Sequence, residues 1–324
     1  MNSSFRYSVV VPVYNRPDEV AELLDSLTKQ TYANFEVILV EDGSTERCDK
    51  VYEKFADLLS IQYYFKPNSG PGPSRNYGFT KARGEYVVVF DSDCLIPTHY
   101  FEAVENFISK APVDAWGGPD RGHENFTPLQ QAMGYTMSSF LTTGGIRGGK
   151  KRTGRFQPRS FNMGMSRKVV EQTGGFNFNR LAEDIELSVR IKKAGFDVHL
   201  IPDAFVYHKR RSTWKQFFWQ VYSFGRGRIH VGQVHPGEIK ITHWLPLLFI
   251  LGLIASLLIW VVSWQAGLLG ISLYAVYFMA ILNDSYKTTK SMWVSILSVP
   301  SAFIQLTGYG LGFGKEWLKV SLGR

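Results

Sequence analysis

Residues 244–264 carry no charge at all, and this run constrains the 324-residue chain more than any other feature. Its length matches the hydrocarbon core of a bilayer. In lipid the backbone must satisfy its own hydrogen bonds, so such a segment is expected to be helical. A second uncharged run, residues 266–282, follows after a very short turn. The pair reads as a helical hairpin with both ends on one side. Lys287 and Lys290 follow it, and the positive-inside tendency puts that side in the cytoplasm. A third apolar stretch, residues 292–313, contains Pro300, Gln305 and several glycines. If it crossed, the tail with Lys315, Lys319 and Arg324 would lie outside, so a re-entrant or interfacial segment is expected. Packing the two clean runs inside a soluble domain is the weaker alternative, because charge-free stretches of this length are rare there.

The first 210 residues have a different grammar. Short apolar runs at residues 7–13, 35–41, 61–65, 86–90 and 113–116 read as strands. Helical patterns lie between them, at 17–32, 46–59 and 74–83. The first opens with Pro17, Asp18 and Glu19, a favourable first turn, and sets Leu23, Leu24 and Leu27 on one face. Alternation of this kind implies an α/β domain with a mostly parallel sheet covered on both faces. Ligands of such sheets sit beyond the carboxyl ends of the strands. Residues 211–242 place Trp214, Phe217, Phe218, Val221, Tyr222 and Phe224 at helical spacing among basic residues, as an interfacial amphipathic helix does. A helix packed on its own core gives the same stripe. The expected organisation is therefore 1–210, 211–242 and 243–324, with the membrane in the last part.

The net charge of +8 admits nucleic acid, anionic lipid or a phosphorylated ligand. The aromatic residues gather beside the apolar runs, which favours a membrane surface, and no nucleic-acid module is present. Cys48 and Cys94 have no metal-ligand spacing, and so low a count fits a reducing compartment. The opening residues are short and polar, without the pattern of a signal peptide, so the N-terminal domain is expected to remain in the cytoplasm.

Chemistry is concentrated at the strand ends. Asp91-Ser92-Asp93 closes a buried strand, and carboxylates at i and i+2 of an extended chain point to the same side. Two carboxylates held together call for a cation. Mg²⁺ or Mn²⁺ with ligand phosphates fits this need, and a capping turn is the plainer reading. Glu41-Asp42-Gly43-Ser44 ends another strand, where Asp42 could accept a base N–H and Gly43 admit a ligand, or simply form a turn. Residues 68–76 form a rigid turn opening a helix, with Arg75 in its first turn. The spacing is neither a dinucleotide fingerprint nor a phosphate loop. Glu183 and Asp184 begin a helix. They are candidates for a general base, or an acidic first turn favoured by the helix dipole. His208 ends a short strand and could meet a metal or a phosphate, though a lone histidine is more often structural.

In order along the chain, these blocks resemble family 2 of the inverting glycosyltransferases, with the GT-A fold (Rossmann-like, with helices on both faces of the sheet). The resemblance runs over about residues 5–210: Val9-Val10-Val11-Pro12-Val13-Tyr14-Asn15-Arg16, Glu41-Asp42-Gly43-Ser44, the segment from Gly70 to Asn76, Asp91-Ser92-Asp93, Gly174-Gly175-Phe176 and Glu183-Asp184. It implies that Pro12 and Tyr14 line a uracil pocket, that Asn15 belongs to the nucleotide-sugar-binding set, and that Asp42 and Arg75 hold the base. It places Asp91 near the ribose or the metal, Asp93 on the metal and His208 near the metal or diphosphate. It implies that Asp184 takes the acceptor proton and that Glu183 supports it or meets the acceptor. The Gln-x-x-Arg-Trp block of processive synthases is absent from residues 220–226, so single addition is expected. The basic run Lys150, Lys151, Arg152, Arg155 and Arg159 could cover the diphosphate or meet a lipid-linked acceptor, or be a solvated loop.

The expected activity is metal-dependent transfer of a hexosyl or hexosaminyl group. The donor is a nucleotide-sugar, with UDP the expected nucleotide, and Mn²⁺ or Mg²⁺ the cofactor. The acceptor is a hydroxyl of a glycan or a lipid-linked molecule. The setting is the cytoplasmic face of the cell inner membrane, in polysaccharide or glycoconjugate synthesis. A polyprenyl-phosphate sugar synthase is the catalytic alternative. A non-catalytic nucleotide-binding membrane scaffold is the alternative of another kind.

Overall fold

A computed structural model describes residues 5–110, 113–123, 126–144, 156–209 and 211–323. Two compact units divide the chain. Residues 1–123 and 154–209 make the first; residues 124–153 and 210–324 make the second.

The chain opens with β1 (Tyr7–Val13), α1 (Pro17–Thr28), β2 (Phe35–Asp42), α2 (Asp49–Phe55), β3 (Ile61–Lys66), α3 (Pro71–Lys81) and β4 (Tyr86–Phe90). Shorter pieces follow: β5 (Cys94–Leu95), α4 (Tyr100–Ile108), β6 (Ala115–Gly117) and β7 (Asp120–Arg121). Next come α5 (Pro128–Ser138) and α6 (Phe140–Thr143), which belong to the second unit. The first unit resumes with β8 (Asn162–Ser166), α7 (Arg167–Thr173), α8 (Glu183–Lys193), β9 (Val198–Leu200) and β10 (Val206–His208). The remaining helices are α9 (Trp214–Val234), α10 (Leu245–Val262), α11 (Trp264–Thr289) and α12 (Met292–Ser321).

The first unit is built on a seven-stranded sheet of order β3-β2-β1-β4-β8-β6-β9. All neighbours run parallel except β8, which is antiparallel to β4 and β6. The strand period of two explains its layers. Val9, Val11, Leu39, Val88 and Phe90 face α1 and α4, where Leu23, Leu24, Phe101 and Val104 are buried. Val10, Ile38, Val40, Val87 and Val89 face the opposite layer, against Phe79, Leu187 and Ile191. Covering both faces is why these strands read as almost unbroken apolar runs. A second, three-stranded sheet, β5-β10-β7, stands beyond the carboxyl end of β4. Its strands are two or three residues long, too short to show a period in the sequence.

Several boundaries move, and the helix expected over 46–59 is the shorter α2. The helix expected to end near Tyr32 stops at Thr28, and the one expected from Ser74 starts at Pro71, with proline in its first turn. Arg75 consequently lies in the second turn of α3, where its side chain points inward.

In the second unit α10, α11 and α12 are long and apolar enough to cross a membrane. No residue of α10 is buried, as suits a helix facing lipid. The third stretch, expected to be re-entrant or interfacial, does not turn back on itself, because α12 is one continuous helix through Pro300; the interfacial alternative is untouched by that. The hydroxyls of Ser298 and Ser301, on either side of the proline, donate to the carbonyls of Val294 and Leu297. Glycines let α12 pack on two sides. A Cβ on Gly308 or Gly312 would strike Val221 or Tyr222 of α9, and one on Gly310 would strike Pro246 of α10. α9 buries Phe217 and Val221 with Met133 and Met137 of α5, and leaves Trp219 and Phe224 exposed.

Candidate active site

Asn15, just past β1, adopts a left-handed φ of 52°, which asparagine tolerates. Its side-chain carbonyl accepts from the amides of Thr45 (2.8 Å) and Glu46 (3.0 Å), and its own amide donates to Ser44 Oγ (2.9 Å). It thus ties the loop after β1 to the loop after β2. Pro12 is half-buried in β1 opposite Val40, and Tyr14 is exposed at the strand's end.

Asp42 ends β2 and is buried. Its carboxylate accepts from the amides of Ser69 and Gly70, both at 2.8 Å, and from Lys66 Nζ. Burial alone would raise this carboxyl; the Lys66 ammonium and the two amides outweigh it and hold it below the usual carboxylate range. Asp42 therefore fixes the turn that starts α3. A base N–H would have to share a carboxylate already well used.

Arg75 is buried between two carboxylates. Nη2 donates to Asp91 Oδ1 at 2.7 Å and Nη1 to Glu183 Oε1 at 2.9 Å. Phe176 covers the guanidinium at 5.1 Å. A buried guanidinium needs such partners, so Arg75 binds together two carboxylates remote from each other in sequence, Asp91 and Glu183. Glu183 and Asp184 open α8, and the preceding Ala182 holds a left-handed φ of 57°. For alanine that conformation costs roughly 1–2 kcal/mol. Glu183 is pushed up to about 7, first by burial and further by Asp184, with Arg75 opposing. Asp184 accepts from the Ile185 amide at 2.8 Å and lies 3.7 Å from Arg159 Nη1.

β4 ends at Phe90, and the chain then turns, with the Cys94 amide donating to the Asp91 carbonyl at 3.1 Å. The two aspartates therefore do not project side by side from an extended strand, as the spacing suggested. Mutual repulsion is avoided by giving each its own cation: Asp91 meets Arg75, while Asp93 meets Arg16 Nη1 through Oδ2 and His208 Nε2 through Oδ1, the latter at 3.1 Å. Pairing of β10 with β5 brings His208 opposite Cys94 and so beside Asp93. His208 stacks on Phe161, and its Nδ1 is buried with no hydrogen-bond partner among the described residues. Burial would raise Asp93, but His208 and Arg16 outweigh it and hold the carboxyl well below the usual range.

Asp93, Cys94 and His208 bring potential ligand atoms within 4.8 Å of one another. Cys94 is a poor member: burial pushes its thiol well up, and Sγ lies 3.5 Å from the Phe161 carbonyl. The carboxylate of Asp93 and the imidazole of His208, with Asp91 on the same turn, could hold Mn²⁺ or Mg²⁺. The ionised state of Asp93 fits that use, and an ion shared with His208 would take the place of the contact between Oδ1 and Nε2.

The sequence reading did not single out Arg16 or Lys66 as site residues, although both partner its aspartates. Arg16 stands in the first motif, and its basic charge opposite an acidic strand end was the available signal. Of the basic run, Arg159 lies beside Asp184; Lys150, Lys151, Arg152 and Arg155 fall outside the described residues.

A doubly wound sheet with carboxylates gathered at its strand ends defines a GT-A-like nucleotide-sugar fold. The chain belongs to glycosyl transferase family 2, whose model matches residues 8–174. Among curated relatives, an uncharacterized glycosyltransferase of Rickettsia bellii is 41% identical over 90 residues, which is 28% of this chain and 13% of that one. The probable glycosyltransferase YdaM of Bacillus subtilis is 25% identical over 240 residues, covering 70% of this chain and 56% of its own length. The chain thus spans only part of the curated relatives it matches. Among solved structures, the mannosyltransferase PcManGT of Pyrobaculum calidifontis, in complex with GDP-Man and Mn²⁺, superposes with a TM-score of 0.59 at 18% identity, covering 96% of this chain and 88% of that one. S. aureus TarS 1-349 with UDP-GlcNAc gives 0.50 at 18% identity, over 99% and 93% of the two chains.

Proposed function

We propose that this protein transfers a sugar, with inversion, from a nucleoside-diphosphate sugar to a hydroxyl of a glycan or lipid-linked acceptor in polysaccharide or glycoconjugate synthesis. The observation that carries this reading is the arrangement of Asp93 with His208, and of Asp91 with Arg75 and Glu183, at the carboxyl ends of the sheet, with Asp184 next in line. The neighbours' GDP-Man and UDP-GlcNAc support the donor class. Uridine remains the expected base, with Pro12, Tyr14, Asn15 and Asp42 around it.

Asp184 removes the acceptor proton as its oxygen attacks the anomeric carbon. The bond to the donor phosphate breaks on the opposite face, and the nucleoside diphosphate leaves. Arg75 keeps Asp91 and Glu183 apart and in register. Its burial makes it an organiser of carboxylates rather than a surface for the base. Mn²⁺ or Mg²⁺ held by Asp93 and His208, with Asp91, would draw charge from the departing diphosphate. Arg159 beside Asp184 favours an acceptor that carries phosphate. It keeps the polyprenyl-phosphate reading in view, in which the acceptor atom is a phosphate oxygen.

The three apolar helices support an inner-membrane, multi-pass protein, with Lys287 and Lys290 marking the cytoplasmic side on which catalysis occurs. Protease protection of the first unit in right-side-out spheroplasts is the expected result; digestion from outside would reverse the orientation.

The deciding experiment measures nucleotide release from UDP-, GDP- and dTDP-sugars by the detergent-purified chain, with Mn²⁺, Mg²⁺ or EDTA. One donor is expected to be hydrolysed slowly, and the activity to vanish with EDTA and with Asp93→Ala. If nucleotide binds but no donor reacts with either ion, the nucleotide-binding scaffold reading takes its place.

A further inference from the structure

α12 is long and apolar enough to cross a bilayer, yet its partners lie at one end of the hairpin made by α10 and α11. Near its start, Ser298 Oγ is 2.9 Å from Ser285 Oγ of α11, and Ala302 is buried with Ile281. Phe303 meets Phe278 of α11 and Phe249 of α10, both at 6.3 Å between ring centres. Farther along, a Cβ on Gly310 would strike Pro246, and Trp317 packs on Trp244 at 5.4 Å. A helix crossing antiparallel to α11 from the turn at Lys290 would, with equal rise per residue, carry Gly310 to about residue 270 and Trp317 to about residue 263, at the closed end of the hairpin. α12 instead returns to the start of α10. The closed half of the hairpin packs within itself, Gly252 against Tyr274, Gly270 against Ser256 and Gly267 against Trp260.

α9 opposes a crossing independently. It runs alongside α12 in the same direction: Trp214 Nε1 donates to Ser301 Oγ at 3.4 Å, a Cβ on Gly308 would strike Val221, and Arg226 Nε donates to Glu316 Oε2 at 2.6 Å. To cross, α12 would have to draw α9 into the bilayer with Lys215, Arg226 and Arg228, which lipid opposes. The free face of α12 is apolar: Trp293, Ile296, Phe303, Leu311 and Leu318 are exposed and recur on one side of the helix. Lys315 and Lys319, exposed near its end, can reach headgroup phosphates while their stems stay on apolar surface. Resting on the membrane reading of α10 and α11, we propose that α12 lies in the plane of the cytoplasmic leaflet, with its apolar stripe against the acyl chains just below the phospholipid headgroups. The chain then crosses the bilayer twice, and its tail stays on the side of Lys287 and Lys290. α12 becomes a shelf at the lipid surface that carries α9, and α5 through the bond from Gln305 to the Thr136 carbonyl.

Single added cysteines in the full chain, probed with a membrane-impermeant maleimide in right-side-out spheroplasts and in inside-out vesicles, test this. Cys48 and Cys94 are buried, so the wild type serves as the blank. Lys287→Cys and Leu322→Cys are expected to label from the same side, and Gln265→Cys, beside the hairpin's turn, from the other. Lys319→Cys repeats the tail measurement if Leu322→Cys is not recovered. A tail that labels with Gln265→Cys, or from neither side, overturns the proposal. Labelling of Gln265→Cys and Lys287→Cys from one side would bring down the hairpin reading and the placement of α12 with it. Bimane attached to a cysteine placed in turn at Ile296, Phe303, Leu311 and Leu318 reads depth. Lipids with a quencher near the headgroup are expected to quench all four more strongly than lipids with it near the chain end. The reverse order at Phe303 and Leu311 marks a crossing helix and overturns the proposal. Sugar transfer in the donor panel is untouched by any of these results, so its failure is told apart from theirs.

Discussion

Glu183 and Asp184 are adjacent in sequence but live in different surroundings. Glu183 is 8% exposed and bonded to a buried arginine; among the described residues Asp184 reaches Arg159, at 3.7 Å, and the start of its own helix. Asp184 is the carboxylate left with capacity to take a proton. Asp184→Asn keeps the shape and the hydrogen bond to Ile185, so donor binding is expected to persist. Transfer should fall by about 10²–10⁴-fold, read from initial rates beside nucleotide titration. Glu183 makes a pH-dependent statement instead. Burial pushes its carboxyl up to about 7 in the fold, against about 4.5 for an ordinary glutamate. Between those values the folded chain keeps a proton that the unfolded chain releases. The stabilising contribution is thus full below about pH 4.5 and is lost as pH rises through 7. Glu183→Gln removes that dependence. The stability advantage of the wild type over the variant is expected to shrink between pH 5 and 8, by at most about 3 kcal/mol. Melting temperatures of both proteins across that range check it; a constant gap would contradict it.

Among elements, α3 shows how close packing sets the site. A Cβ on Gly72 would lie 2.1 Å from the Phe178 carbonyl, so the segment before α8 rests directly on the α3 backbone. Gly72→Ala should push that segment away and carry Glu183 and Asp184 with it. A loss of about 1–3 kcal/mol and a slower transfer are expected together; an unchanged melting temperature would show that the segment yields freely. The long strands were legible because burial on both faces leaves apolar runs, and α1 because of its first turn and leucine face. β5, β7 and β10 were not, since two or three residues carry no period, yet they seat His208 beside Asp93. The clustering of Asp91, Asp93, Glu183 and Asp184 was legible as motifs. What joins them was not: Arg75, expected at the base, ties Asp91 to Glu183 instead, and the turn after Phe90 gives the two aspartates different partners. These depend on partners remote in sequence, such as Arg75 and Glu183, which local patterning cannot reveal.

At the scale of the whole molecule, the charge-free helices dominate behaviour outside the site. α10 is apolar from end to end and buries none of its residues. Hydrophobic surface of that extent is not sustained in water. The full chain is expected to stay in the membrane pellet through alkaline carbonate washing, and release into the supernatant would mark a merely peripheral attachment. α5 has a further consequence. It comes from the middle of the sequence, yet Tyr135 donates to Asp284 of α11 at 2.6 Å and Gln305 of α12 donates to the Thr136 carbonyl at 3.1 Å. The anchor is not a detachable tail. A fragment cut after Lys209 would keep residues 126–144 and strip Met133, Tyr135 and Met137 of their cover, leaving a sticky, ill-behaved product. Transplanting this anchor, or making a soluble enzyme from the chain, means editing two separate stretches of the gene together.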